Sequence, residues 1–219
     1  EKDSVFITGC PSIDIADEIV KKDIKNFDIY EKYSGSGDPL NLSNGYIVAL
    51  QHPVTSETHD SRYQVEETLH SLNDLDIPTL WFWPNVDAGS DWTSKAIRTF
   101  REDYQPKNMQ FFKNIGGSDF LRLILNSICI VGNSSVAIRE ASFLGIPAVN
   151  IGSRQNGRLR GENVFDVDHD RNEISMTIKK IINGNNPPPS KIYGEGDAGN
   201  KIAEILATVP LKSNKKISY

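Results

Sequence analysis

The sequence has few cysteines, no long apolar run and no excess of positive charge. None of its apolar stretches approaches the roughly 18 residues that a membrane-spanning helix needs, and no signal peptide is recognisable. The net charge of −5 argues against a general nucleic-acid binder, because phosphate backbones attract clustered lysine and arginine. We therefore expect a cytoplasmic protein that binds neither membranes nor nucleic acids.

The cysteines and histidines give no pattern typical of a disulfide or a metal site. Cys10 and Cys129 both lie in apolar, strand-like segments, so we expect buried free thiols in a reducing compartment. His59, His70 and His169 lie in polar or helical surroundings and form no metal-ligand spacing with their neighbours. We expect these three histidines on the surface, and we expect neither a metal nor an organic cofactor.

The composition is that of an ordinary globular protein, with 38% hydrophobic and 24% charged residues. Residues 1–219 are predicted to form a single domain, in which residues 33–45, rich in Gly, Ser, Asn and Pro, are a loop or a linker. Residues 210–219 are predicted to be a basic tail. The chain opens on EKDSVFITG without an initiator methionine, so we expect it to be a fragment of a longer protein.

Short apolar segments alternate with amphipathic helical segments along the chain. Such alternation predicts an α/β fold with a doubly wound parallel sheet. The predicted strands are residues 5–9, 46–52, 79–84, 109–115, 129–133 and 148–152. Helices are predicted over residues 13–24, 61–75, 93–104, 120–127, 174–183 and 198–209, with a further helix opening on two serines after the fifth strand.

That further helix opens at a turn whose residue types favour phosphate. Gly132 permits a tight bend, and Asn133, Ser134 and Ser135 are good N-cap residues. The first N–H groups of a helix have no intrahelical partners and carry the positive end of its dipole, so they and the serine hydroxyls would favour a phosphate. Glu140, further down the predicted helix, is suited to the two hydroxyls of a ribose. The alternative is an ordinary capped helix with a solvated glutamate.

Polar residues also follow three of the other predicted strands. His52 ends a core strand, where a neutral imidazole could donate to a phosphate oxygen or exchange a proton near neutrality. The alternative is a histidine bonded to a loop carbonyl. Asn85 and Ser90 follow the next strand as candidate polar contacts. The backbone at Ile115 could read the edge of a uracil, because strand ends offer both donors and acceptors.

The segments GCPS, ALQHPVT, PNVDAGS, GNSSVAIREASFLGIPAVNIGSRQNGRLRGENV and SKIYGEGDA occur in this order. Together they resemble the UDP-N-acetylglucosamine 2-epimerases of the hydrolysing branch. That branch includes the bacterial sialic-acid pathway enzyme and the epimerase half of the animal bifunctional epimerase/kinase. The resemblance runs from about Val5 to about Leu206 and covers the C-terminal half of the family's catalytic unit.

The resemblance implies a glycosyltransferase-B-type architecture of two domains, of which this chain is the Rossmann-like lobe that holds UDP; the N-terminal catalytic lobe is absent. His52 would contact the diphosphate and could transfer a proton, and Asn85 would approach the nucleotide. The remaining roles fall to Ile115 (uracil), Ser134 and Ser135 (phosphate), Glu140 (ribose) and Arg154 (assisting), with Ser90 and Arg158 as secondary candidates.

The family reaction converts UDP-N-acetylglucosamine and water to N-acetylmannosamine and UDP, by elimination to a glycal and then hydration. The resemblance assigns the acid/base carboxylates to the missing lobe, so we expect no turnover by this chain alone. It also implies a homodimer or homotetramer at full length. Three alternatives stay open: the same reaction on a UDP-diacetamido-trideoxy sugar for legionaminic-acid synthesis, a UDP-sugar glycosyltransferase lobe, and a nucleotide-sugar sensor without catalysis.

Overall fold

A computed structural model describes residues 5–22 and 27–210 of the chain. These residues form a six-stranded, all-parallel sheet in the order β3-β2-β1-β4-β5-β6. The strands are β1 (Ile47–Leu50), β2 (Thr79–Phe82), β3 (Met109–Phe112), β4 (Cys129–Gly132), β5 (Ala148–Ile151) and β6 (Val164–Val167). The helices are α1 (Pro11–Lys21), α2 (Ser61–Leu75), α3 (Ser90–Tyr104), α4 (Gly117–Leu125), α5 (Glu140–Leu144), α6 (Arg171–Ile182) and α7 (Ala198–Thr208).

Helices cover both faces of the sheet, and the alternation along β1 shows why. Ile47 and Ala49 pack into a cluster with side chains of α2, α3 and α6. Val48 points to the other face and packs into a second cluster with side chains of α1, α4 and α5. A strand with both faces buried has no polar side, which explains its continuous apolar sequence. The predicted doubly wound parallel sheet is confirmed.

The first predicted strand was wrong, and one strand of the sheet was missed. Residues 5–9 form no strand; Val5 is 75% and Ile7 98% exposed, and the segment runs past the loop at Tyr193, whose carbonyl accepts the Cys10 N–H at 2.8 Å. The sixth strand is instead β6, which pairs with β5. Its sequence, VFDV, is short and half-exposed, so it lacks the apolar run that identifies the central strands.

Segments outside the sheet differ from the predictions in detail. The first helix begins at Pro11, two residues before its predicted start at residue 13, since proline is suited to a first helical position. Residues 33–45 contain no helix or longer strand, but Ser36 exchanges two backbone hydrogen bonds with Phe111 on β3. The end of the predicted first helix, residues 23–24, and residues 211–219 of the predicted basic tail lie outside the described residues.

Both cysteines are free, as predicted. Cys129 is fully buried in β4, and burial raises the pKa of its thiol to about 12. Cys10, predicted to be buried, is only partly so, because the segment before it does not join the sheet. His169, predicted at the surface, is half-buried. None of the helices among the described residues is long and apolar enough to cross a membrane.

Candidate functional site

The strand order reverses between β1 and β4, which places a crevice at the carboxyl ends of these two neighbouring strands. Leu50 ends β1 and is paired in register with Gly132, which ends β4. Gly132 has a φ of +132°, and a Cβ atom there would overlap the Leu50 carbonyl oxygen. Glycine therefore allows the chain leaving β4 to pass directly beside the chain leaving β1.

Asn133, the next residue, joins these two strand ends through its side chain. Its Oδ1 accepts the His52 N–H at 2.7 Å, and its Nδ2 donates to the His52 carbonyl at 2.8 Å. Asn133 is completely buried. Its predicted role as a helix cap is wrong, because the side chain bonds to the neighbouring strand end instead of to the following turn.

The His52 ring is held as a neutral hydrogen-bond donor. Its Nδ1 accepts the Asn85 N–H at 3.1 Å, so the proton of the neutral ring lies on Nε2. Burial, followed by the positive charge of Arg154, lowers the pKa of His52 to about 4, and the opposing effect of Asp87 is smaller. This pKa favours donation to a ligand oxygen over proton exchange near neutrality. Among the described residues the ring makes no hydrogen bond to a loop carbonyl and accepts from a backbone N–H instead.

We expect His52 to make the protein less stable as the pH falls below about 6.5, the unperturbed pKa of histidine. The folded pKa of about 4 is below that value, so the unfolded chain binds more protons between the two pH values. The stabilising contribution of the neutral ring is therefore complete above pH ~6.5 and is lost as the pH falls towards ~4, by roughly 2–3 kcal/mol in total.

Urea unfolding of the wild type and of His52→Gln from pH 4 to pH 8 measures this contribution. The difference in unfolding free energy between the two proteins should change in this window, and His59→Gln, at an exposed position, controls for the loss of a histidine. A constant difference between wild type and His52→Gln would show that the folded ring titrates normally.

The loop after β5 forms hydrogen bonds with Asn133, just beyond the end of β4. The Gln155 Nε2 donates to the Asn133 carbonyl at 2.7 Å, and the Arg154 Nη1 donates to this oxygen at 3.3 Å. Arg154 also forms an ion pair with Asp87, with its Nη2 3.4 Å from the Asp87 Oδ2. Sequence reasoning missed Gln155 and Asp87 as site residues and gave Asn133 the wrong role, although all three lie within the quoted GNSSVAIREASFLGIPAVNIGSRQNGRLRGENV and PNVDAGS segments.

Two predicted secondary residues lie at the margin of this cluster. The Ser90 N–H donates to the Asp87 carbonyl at 3.0 Å where α3 begins, which places Ser90 beside the ion pair of Asp87 and Arg154. Arg158 is exposed, and its carbonyl accepts from the Arg160 Nη1 at 2.8 Å. No hydrogen bond within residues 5–22 and 27–210 joins the Arg158 side chain to His52 or Asn133.

The predicted serine-capped helix is a 3₁₀ turn followed by a short α-helix. Ser134 caps the 3₁₀ turn Ser135–Ala137, accepting the Val136 N–H at 3.4 Å. The helix α5 starts only at Glu140 and ends after five residues, because Gly145 takes a left-handed conformation that turns the chain into β5. In the part of the chain that the structure describes, the Ser134 and Ser135 N–H groups have no intramolecular acceptor, so both remain available to a ligand.

Glu140 is therefore the first residue of α5, and its carboxylate is buried with one oxygen unpaired. The residue is 5% exposed; its Oε1 accepts from the Arg139 Nη2 at 3.3 Å, while its Oε2 has no hydrogen-bond partner. A buried carboxylate oxygen without a partner is costly unless a ligand or water supplies a donor. Glu140 is therefore buried, and the alternative of a solvated glutamate is wrong.

A cavity of about 580 Å³ lies beside the carboxyl ends of β2 and β3. It brings together two predicted nucleotide contacts, Asn85 and Ile115. The rim at Ile115 is fixed by Tyr33, whose hydroxyl accepts the Gly116 N–H at 3.0 Å and donates to Asp119 at 2.7 Å. The other residues around the cavity are Leu50, Phe82, Trp83, Pro84, Val86, Lys113, Asn114, Gly117 and Phe120.

The site is a set of fixed hydrogen-bonding groups without a recognisable metal centre. Across the described residues, no group of three or more His, Cys, Asp or Glu side chains could hold a metal ion. The arrangement supplies one neutral imidazole donor, two backbone N–H groups, one arginine and one unpaired carboxylate oxygen. Such a combination can bind an anion and hydroxyl groups at the same time.

The chain is similar in sequence and in fold to epimerases from several organisms. A UDP-N-acetylglucosamine 2-epimerase from Methanocaldococcus jannaschii, solved in complex with UDP-GlcNAc and UDP, superposes with a TM-score of 0.67 at 16% identity, over 94% of this chain and 56% of that one. A UDP-N,N'-diacetylbacillosamine 2-epimerase (hydrolyzing) from Legionella pneumophila is 26% identical over 213 residues, 97% of this chain and 54% of its own length. A UDP-N-acetylglucosamine 2-epimerase from Neisseria meningitidis is 24% identical over 205 residues, which are 92% of this chain and 51% of its own length.

The strand order and the superposition define a Rossmann-like α/β domain of the kind found in glycosyltransferase-B-type folds. The sequence profile described as UDP-N-acetylglucosamine 2-epimerase matches residues 1–207. The chain belongs to the UDP-N-acetylglucosamine 2-epimerase family, and it spans about half the length of the curated relatives it matches.

Proposed function

We propose that this chain holds the UDP portion of the substrate in a hydrolysing UDP-N-acetylglucosamine 2-epimerase. The observation that carries the proposal is the buried Glu140 carboxylate, which has one oxygen on Arg139 and the other without a partner. A ribose offers adjacent 2′- and 3′-hydroxyl donors, which would satisfy that oxygen. Ser134 and Ser135, a few residues earlier in the same connection, would then receive the phosphates.

The diphosphate would lie at the carboxyl ends of β1 and β4. His52 would donate from Nε2, and the free N–H groups of Ser134 and Ser135 would donate from the backbone. Arg154 is held by two long contacts, 3.4 Å to Asp87 and 3.3 Å to the Asn133 carbonyl, so its guanidinium can turn to the phosphates at little cost. The base would occupy the cavity between Asn85 and Ile115.

These groups suit the departure of UDP during elimination. Removal of the proton at C2 of the sugar and cleavage of its bond to the diphosphate leave negative charge on the phosphate oxygens. Donors that are already fixed in place stabilise this charge without reorganising during the reaction. Hydration of the resulting glycal then gives N-acetylmannosamine. Our proposal assigns the base and the acid of these steps to a further lobe of the whole protein.

A second candidate substrate is a UDP-linked diacetamido-trideoxy sugar. The Legionella relative carries the name of an epimerase that acts on such a sugar, and it matches nearly the whole of this chain. The groups described above would contact the nucleotide, which both sugars share. Product analysis with the full-length protein separates the two substrates, and adding acceptor sugars tests for glycosyl transfer.

Calorimetric titration of UDP into the chain tests the proposed site. We expect micromolar to millimolar binding. Ser134→Ala keeps the backbone N–H but removes the hydroxyl, a further donor to the phosphate, so we expect binding to weaken by about three- to tenfold, because one neutral hydrogen bond contributes roughly 1 kcal/mol. Ser127→Ala is the matched control. This serine follows the end of α4 and is also buried, but its hydroxyl donates to the Ile124 carbonyl. A folded wild-type chain that binds no UDP would contradict the proposal.

A further inference from the structure

We propose that Asn133 is a positioning residue, which fixes the ring orientation and tautomer of His52 and ties the Arg154 loop to the same point. Its importance for UDP rests on the proposed function, in which His52 and Arg154 contact the diphosphate. The contacts of Asn133 with its neighbours are independent of that function.

Every polar group of Asn133 is used, although the residue has no contact with solvent. Its N–H donates to the Leu50 carbonyl at 3.3 Å, and its side chain bonds to both the N–H and the carbonyl of His52. Its own carbonyl accepts from Gln155 and Arg154. One buried residue therefore connects the ends of β1 and β4 with the loop after β5.

The side chain of Asn133 acts as an extra rung of the parallel ladder. In such a ladder a residue directs its N–H and its carbonyl to the same neighbouring strand. Beyond Leu50 and Gly132 the backbones no longer pair, yet His52 keeps both bonds because the Asn133 amide supplies one acceptor and one donor. Aspartate would lack the donor, and alanine would lack both groups.

This ladder determines what the His52 ring can do. With the His52 backbone fixed, Nδ1 lies 3.1 Å from the Asn85 nitrogen and accepts its proton, so Nε2 carries the ring proton. Without the Asn133 amide, the buried N–H and carbonyl of His52 would need other hydrogen-bond partners. The His52 backbone would then shift, and the ring would lose its hydrogen bond with Asn85. The donor that the phosphate needs would then exist in only part of the molecules.

Two variants of Asn133 test the proposal, with His52 observed by the ¹⁵N chemical shifts of its ring nitrogens in the absence of UDP. We expect the wild type to show a single Nε2–H tautomer. Asn133→Ala should show a mixture of tautomers and bind UDP at least about tenfold more weakly. Asn150→Ala is the matched control, since this asparagine on β5 is equally buried but bonds to Asp166, and the His52 signals should not change.

Asn133→Asp adds a readout that a general loss of packing would not produce. The introduced carboxyl faces the His52 carbonyl and can supply the missing donor only when protonated. Position 133 is completely buried, and burial raises the pKa of a carboxyl above its ordinary value of about 4, so we expect UDP affinity to recover as the pH is lowered from 8 to 6. Asn133→Ala should show no such recovery. If Asn133→Ala does not fold, the pH dependence of Asn133→Asp, compared with the wild type, decides the matter.

The results separate this proposal from the proposed function. Unchanged His52 ring signals in folded Asn133→Ala would overturn the positioning role, whether or not UDP binds. If the ring signals respond to Asn133 but the wild type binds no UDP, the positioning role stands and the nucleotide assignment fails. Equal pH dependence of UDP affinity in the wild type and Asn133→Asp would also count against the positioning role.

Discussion

Replacement of Glu140 by glutamine is expected to weaken UDP binding by at least about tenfold, because hydrogen bonds to a charged acceptor contribute roughly 1.5–3 kcal/mol. Glutamine keeps the shape of the side chain but replaces an acceptor oxygen by a donor NH₂ group, which cannot accept from a ribose hydroxyl. Calorimetric titration measures the loss. Glu162→Gln is the control, because this glutamate is exposed and outside the site.

A second ligand identifies the contact. The wild type should bind 2′-deoxy-UDP more weakly than UDP, and Glu140→Gln should discriminate less between the two. This double-mutant cycle, with one change in the protein and one in the ligand, isolates the coupling between carboxylate and hydroxyl. If Glu140→Gln binds UDP as the wild type does, the unpaired Oε2 is not the ribose acceptor.

Replacement of Gly132 by alanine is expected to reduce the free energy of unfolding by about 3 kcal/mol or more, the sum of backbone strain and overpacking. The new methyl group would overlap the Leu50 carbonyl oxygen, which belongs to the sheet backbone and cannot rotate away. The strand ends would have to separate, which would also pull Asn133 from His52. Urea unfolding measures the stability, and the His52 ring signals report the separation.

The control is Gly157→Ala. Gly157 also has a positive φ, +79°, but a Cβ atom there would meet no atom within 4 Å. It carries the conformational penalty without the overlap, and we expect a loss of roughly 1 kcal/mol. Equal losses in the two variants would mean that the β1 and β4 ends can move apart freely.

The strands and helices were predictable wherever the local sequence has a clear hydrophobic pattern. The segment containing β1 is a continuous apolar run, and the covered faces of the helices follow from the spacing of residues such as Val65, Leu69 and Leu72. Residues 5–9 carry an equally apolar pattern but lie outside the sheet, whereas β6 is half-exposed and belongs to it. Which segment pairs with the sheet edge depends on the rest of the fold, and no local pattern encodes it.

The same distinction applies to the site. The positions of His52, Asn85 and Ile115 follow from one rule, that ligand groups lie at the carboxyl ends of strands. The hydrogen bonds of the site do not follow from this rule. Asn133 is a good N-cap by residue type, but its side chain bonds to the N–H and the carbonyl of His52, which is far away in the sequence. The unpaired oxygen of Glu140 likewise depends on the short α5, whose length Gly145 determines.

The strand order also has a consequence for how the protein folds. Strands β1 to β3 pair in sequence along the chain, as do β4 to β6, so each half of the sheet can form from local connections. The pairing of β1 with β4 joins residues 47–50 to residues 129–132, and among the strand pairings it closes the longest loop. The site lies across this junction. A nucleotide bound there would hold the two halves together, and it should slow unfolding wherever separation of the halves limits the rate.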